Sequence, residues 1–235
     1  MAEPTAPRGR KGSKKSAGID EIYEHILTAI VENRLRPGMQ LVEERLATIF
    51  GVSRTKIREA TSRLVHEGVA INLPNRGAFV ATPTPAQALQ LLAARRLIEP
   101  EVVRLLARNA SKKQITALRT HVKREAAARA GADPHAIVAL SGEFHLLMAD
   151  MAGNTFLARM LRELEVLTCL VIILYDNPNS QGCHYDDHVH LVDAIEAREP
   201  EKAAALMLHH IDHIEGSLDL SPAKGTEVQL EDAFK

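Results

Sequence analysis

Apolar side chains recur every three or four positions along most of this chain, and that period predicts helices. Ile22, Ile26, Leu27 and Ile30 fall on one face and predict an amphipathic helix over residues 20–33. Pro37-Gly38 interrupts the pattern. A second helix is expected over residues 42–50, ended by Gly51, and a third over residues 54–67, ended by Gly68. Ser53 stands at the N-cap of the third, with Lys56 where a full capping box would have Glu or Gln. Two short strands, 70–73 and 78–81, flank Pro74-Asn75-Arg76-Gly77, and Gly77 permits a tight tip between them.

Beyond Thr82-Pro83-Thr84-Pro85 the pattern is helical throughout. Helices are expected over 86–109, 111–130, 134–151, 155–175, 184–197 and 201–217, with Pro134 and Pro200 at helix starts. Six helices and no strand make a bundle. The fold class expected is therefore mainly α: an N-terminal winged helix-turn-helix followed by an all-helical bundle. The divisions expected are a basic flexible tail at 1–18, the winged helix at 19–83, the bundle at 84–217 and a second flexible tail at 218–235.

Composition fits this picture. The 235 residues contain 3% aromatics and no Trp, so Leu, Ala, Ile and Val must fill the cores. A formal net charge of -1 argues against a general polyanion-binding coat but not against a local basic face. The two cysteines, Cys169 and Cys183, and the lack of a secretion signal point to a reducing cytoplasm. No uncharged apolar run reaches membrane-spanning length. Arg8, Arg10, Lys11, Lys14 and Lys15 make the start basic, either as a solubilising tail or as an arm touching phosphates.

Chemistry suited to nucleic acid lies in the third helix. Ile57, Ala60 and Leu64 share one face and should pack inward. Arg54, Arg58, Thr61 and Ser62 fall on the opposite side, with Thr55 at the N-terminal end. Such a helix can enter the major groove of double-stranded DNA, where Arg pairs with guanine edges, and its N-terminal amides favour phosphate. Arg76 at the wing can reach a phosphate or the minor groove. The alternatives are an ordinary solvated helix face and a protein-docking winged helix.

In the bundle, His145, His188 and His210 lie on three separate helices, each on a face expected to point inward. They are either satisfied core histidines or nitrogen ligands converging on a divalent ion such as Zn or Ni. Arg95 shares its face with Leu91, Ile98 and Val102 and must find an anion, either Glu99 one turn on or a bound carboxylate. His209 and His213, one turn apart on another face, are expected to be a solvated pair.

The stretches RPGMQLVEERLA, FGVSRTKIREATSRLVHEG and NRGAFV resemble the winged helix of GntR-type bacterial transcription regulators. The resemblance implies operator contacts from Ser53, Arg54, Thr55 and Arg58, with Gly77 at the wing tip. Lys56 stands where that family usually has Pro, and Val69-Ala70 where it has a Leu-Val-like pair. ARRLIEPEVVRLLA, GEFHLLMADMAGNTFL and DHVHLVDAIEAREPEKAAALM resemble the all-helical ligand-binding (FCD) domain of the FadR subgroup. That resemblance implies a divalent metal held by one Asp and three His, with a small organic acid bound over it. The histidines map to His145, His188 and His210, and the effector-contacting Arg maps to Arg95. Ser141 stands where the Asp belongs, and Glu143, two residues on, points elsewhere. The loss of that anion implies surplus positive charge for an acid to neutralise. His184, one turn before His188, is a further candidate ligand or effector contact.

The function expected is a ligand-responsive transcription factor with no catalytic residues. One winged helix contacts too few base pairs for strong discrimination, so a homodimer on a near-palindromic operator is expected. Two other readings stand beside it: a metal-dependent hydrolase-like enzyme, for which no general base is evident, and an effector-free architectural DNA-binding protein.

Overall fold

The computed structural model describes residues 17–176 and 185–221. His184 and most of both expected tails lie outside these residues. The N-terminal unit runs α1 (Ile19–Val31), α2 (Glu43–Phe50), α3 (Arg54–His66), β1 (Ala70–Leu73) and β2 (Gly77–Val80). Ile22, Ile26 and Ile30 of α1 are buried together with Ile57, Ala60 and Leu64 of α3, as their period requires. Gly51 closes α2 in the left-handed conformation at φ 64°, which costs a residue without Cβ little. Ser53 caps α3 by accepting the Lys56 amide at 3.5 Å. The Lys56 ammonium reaches back to the Ala17 carbonyl at 3.1 Å and ties the start of α1 to α3.

β1 and β2 pair antiparallel, with Ala70 opposite Val80 and Leu73 opposite Gly77. β2 thus begins at Gly77, one residue earlier than the pattern predicts, and the wing tip is Pro74-Asn75-Arg76. Asn75 and Gly77 both take positive φ, 60° and 83°, which lets so short a connection close.

Thr61 departs from expectation. It is buried on the same side as Ile57, Ala60 and Leu64 rather than exposed beside Arg58. Its hydroxyl donates to the Ile57 carbonyl at 3.0 Å, so the polar group is satisfied within the helix.

The bundle comprises α4 (Pro85–Asn109), α5 (Lys112–Ala130), α6 (Pro134–Met151), α7 (Thr155–Tyr175), α8 (Tyr185–Glu196) and α9 (Pro200–Ser217). Reciprocal caps start α4, through Thr84 and Gln87, and α5, through Ser111 and Gln114. Asn154 caps α7 by accepting the amides of Phe156 and Leu157. The bundle core joins Leu92, Val103 and Leu106 of α4 to Phe144, Leu161, Leu191 and Met207. Leu218 bridges back to Asp176, and the Asp219 amide donates to the Tyr175 carbonyl at 2.8 Å, so the chain past α9 stays packed on the end of α7.

Two features place α7. Gly142 faces it so closely that a Cβ there would sit 2.9 Å from Cys169 Sγ, which lets α6 and α7 approach. Val166 and Leu170 of α7 belong to the apolar core of the N-terminal unit. One helix therefore contributes to both cores.

Candidate functional site

Arg54 and Arg58 project from the first turns of α3 with side chains 63% and 64% exposed. Thr55 and Ser62 are also exposed. Glu43, at the first turn of α2, holds this face in order. It accepts two bonds from Arg58, at 3.0 and 2.9 Å, and lies 3.7 Å from Arg54. The hydrogen bonds from Arg58 draw the Glu43 carboxyl below its usual range. An ion pair this exposed contributes little to stability, so phosphate or base edges can replace it. On the wing, the Arg76 guanidinium lies 5.2 Å from the centroid of Phe79, and its carbonyl accepts from Gln40 at 2.6 Å. The wing tip and the start of α3 are thus both basic and exposed.

In the bundle, α6, α8 and α9 bring His145, His188 and His210 together, each at most 1% exposed. Their Nε2 atoms converge: that of His210 lies 3.1 Å from His145 and 3.3 Å from His188. Each Nδ1 faces a carboxylate. His145 meets Glu99 at 2.5 Å, His188 meets both oxygens of Glu125 at 3.0 Å, and His210 meets Asp187 at 3.2 Å. A carboxylate at Nδ1 fixes the proton there, which leaves the lone pair on Nε2. Three Nε2 lone pairs facing one another repel unless a cation or proton lies among them, so these residues fit a divalent ion. Phe144 stacks on His188, with ring centroids 4.2 Å apart, and fixes the ring plane.

The electrostatics support a neutral His145 ring above a layer of anions. Burial, with Arg95 beside it, pushes His145 down to about 3. Burial would raise Glu125, but hydrogen bonds from His121 and His188 outweigh it and bring it down to about 2. Glu99 and Asp187 are also held well below the usual range. Burial opposes this in both, but Arg95 and His145 outweigh it at Glu99, and His210 and His213 outweigh it at Asp187.

Arg95 is buried and donates to Glu99 through Nε, and its Nη2 lies 2.7 Å from Glu165 of α7 and 3.4 Å from His145 Nδ1. The surplus positive charge expected from Ser141 is therefore not present. Ser141 is buried one turn before His145 and brings no charge, but among the described residues Glu99, Glu125, Glu165 and Asp187 surround the cluster against the Arg95 guanidinium. Glu143 points outward to Arg124, at 2.9 Å, as its spacing predicts. Glu125 and Glu165 were not singled out from the sequence. The signal available was a carboxylate inside the apolar run of α7, LEVLTCLVIIL, which needs a buried partner. Glu165 also borders a cleft of about 280 Å³ between the two units, which Leu27 and Val31 of α1, Gly142 and Leu146 of α6, and Cys169 line with it.

Among the described residues no helix is long and apolar enough to cross a membrane. Residues 19–80 match the family described as bacterial regulatory proteins, gntR family, and residues 90–213 match the FCD domain. The chain is 26% identical over 200 residues to the Nta operon transcriptional regulator of Aminobacter aminovorans, covering 84% of this chain and 93% of that one. Over 71 residues it is 45% identical to the HTH-type transcriptional repressor NagR of Bacillus subtilis, covering 30% of this chain and 29% of that one. The fold is similar to that of E. coli McbR/YncC, with a TM-score of 0.76 at 20% identity over 84% of this chain and 95% of the other. These likenesses run to transcriptional regulators rather than enzymes, so the chain belongs to the gntR family of bacterial regulatory proteins, with an FCD domain as its C-terminal part.

Proposed function

We propose that this regulator binds a near-palindromic operator as a homodimer and responds to a small carboxylate sensed in the FCD domain. Ser53, Arg54, Thr55 and Arg58 would meet the major groove, and Arg76 and Gly77 the adjoining backbone or minor groove. Leu97 and Phe156, 83% and 69% exposed, are large apolar side chains that a two-fold partner would cover. The protein would act in the cytoplasm, where its operator lies.

His145, His188 and His210 would hold a divalent metal, with Zn or Ni favoured by three nitrogen donors. When bound, such a metal supplies a positive centre toward which an acid's oxygens are drawn. Glu99, Glu125 and Asp187 hold the three Nδ1 atoms and so keep the Nε2 atoms aimed at one another. Arg95 would receive the effector's carboxylate, with His184 as a further contact. Because Glu99 and Glu165 already occupy Arg95, the incoming acid must exchange with one of them. Glu165 is the one that can leave, since it borders the cleft between the units. Its release loosens α7 beside Val166, where that helix enters the DNA-binding core, and so shifts the balance of dimer geometries.

The observation carrying this reading is the Arg95–Glu165 pair, which ties α4 to the helix common to both cores. A panel of small carboxylates, screened for thermal stabilisation of wild type and Arg95→Met, tests it. Stabilisation of wild type alone is expected; equal stabilisation of both proteins would remove Arg95 from the sensor.

A further inference from the structure

Next to the buried histidines the bundle carries a second group of metal-ligating side chains. α9 sets His209 and His213 one turn apart, with ring centroids 4.0 Å apart. The first turn of α8 brings Asp187 against them, and its Oδ2 accepts from His213 Nδ1 at 2.8 Å. His213 is thus bound to a carboxylate rather than being half of the solvated pair that the spacing predicts.

We propose that Asp187, His209 and His213 form a second, surface-accessible site for a borderline divalent cation such as Zn²⁺. Three observations support it. One ligand atom from each residue lies within 4.8 Å of the other two. Ligand atoms about 2.0–2.2 Å from a tetrahedral ion stand roughly 3–4 Å apart, so small rotamer changes complete the site. Two imidazoles and one carboxylate favour Zn²⁺, Ni²⁺ or Cu²⁺ over Mg²⁺ or Ca²⁺. His209 is exposed and His213 is 32% exposed, which leaves room for water to fill the remaining positions.

Asp212 and Glu215, the acidic neighbours on α9, are both paired with Arg96 at 2.7 Å. Among the described residues, the charged partners of Asp187 are the imidazoles of His210 and His213.

Asp187 makes the two sites interdependent. The same Oδ2 that meets His213 lies 3.2 Å from Nδ1 of the buried His210. A cation on the outer site draws on the carboxylate that orients His210, so filling one site alters the affinity of the other. The outer site exists whether or not the buried histidines hold metal.

Zn²⁺ titration of untagged full-length protein, by calorimetry and by metal analysis after dialysis, tests this. Wild type is expected to take up two equivalents. The His209→Ala/His213→Ala protein should lose one of them, and His188→Ala should lose the other while keeping the outer ion. Should the buried histidines hold no metal, wild type takes one equivalent and the double variant none, which still supports the outer site. The single His209→Ala change, at an exposed position, leaves the fold unstrained and should weaken the outer ion about tenfold or more. Equal Zn²⁺ uptake by wild type and double variant, together with unchanged affinity in His209→Ala, overturns the proposal.

Discussion

Arg95 Nη2 and Glu165 Oε1 lie 2.7 Å apart in the buried centre of the bundle, and the residue after Glu165, Val166, packs in the core of the DNA-binding unit. One member of a buried charge pair of the bundle and an apolar contact of the winged helix are thus neighbours on one helix. Removing one partner of a buried pair strands the other, at a cost of about 3–5 kcal/mol. Arg95→Met takes the guanidinium from both Glu165 and Glu99, the latter keeping only His145, and is expected to lower unfolding free energy by about that much in urea. An unchanged midpoint would show that these carboxylates do not depend on the guanidinium.

On α3, Arg54→Ala and Arg58→Ala are each expected to lower affinity for the operator by roughly tenfold or more and to relax sequence preference, if they read base edges. Arg76→Ala should weaken specific and random duplexes about equally, because a phosphate contact carries no sequence information. Anisotropy titrations at fixed salt separate the two patterns. A loss at Arg58 that is equal on all duplexes would move that residue to the backbone.

Gly142→Ala tests the approach of α6 to α7. A Cβ placed 2.9 Å from Cys169 Sγ must displace that thiol or the helices, and overpacking of this kind costs about 1–3 kcal/mol. Thermal unfolding should show the loss, and Gly142→Ala/Cys169→Ala should recover part of it. A single variant as stable as wild type would mean that the two helices yield freely.

Cys169 itself should be inert. Burial pushes its thiol up to about 12, so below that pH the reactive thiolate is scarce. In a Cys183→Ser background, iodoacetamide at pH 8 is expected to label the protein only after unfolding. Rapid labelling of the native protein would show that the α6–α7 contact opens.

What could be read from the sequence was what depends on local period. His145, His188 and His210 each sit within an apolar stripe of one helix, so their inward direction was visible, and so was the outward direction of Arg54, Arg58 and Glu143. Thr61 falls between Ile57 and Arg58 on the wheel, at the edge of the apolar face, and a hydroxyl that bonds the preceding turn can be buried there at little cost. Glu125 and Glu165 were not visible as site residues. A carboxylate on a helix reads as surface until its partner is known, and here the partners, His188 and Arg95, come from other helices. The link between Asp187 and His213 also joins two helices, so spacing along α9 could show only the histidine pair. The anion absent at Ser141 was legible; the carboxylates that surround the cluster were not, because long-range packing supplies them.

Selecting bound duplexes from a random pool with the full-length protein tests the central claim most directly. An enriched near-palindrome whose two half-sites follow the two-fold symmetry of a dimer is expected, with enrichment lost in Arg58→Ala. No enriched sequence, or an isolated half-site bound as tightly as the full one, would contradict it.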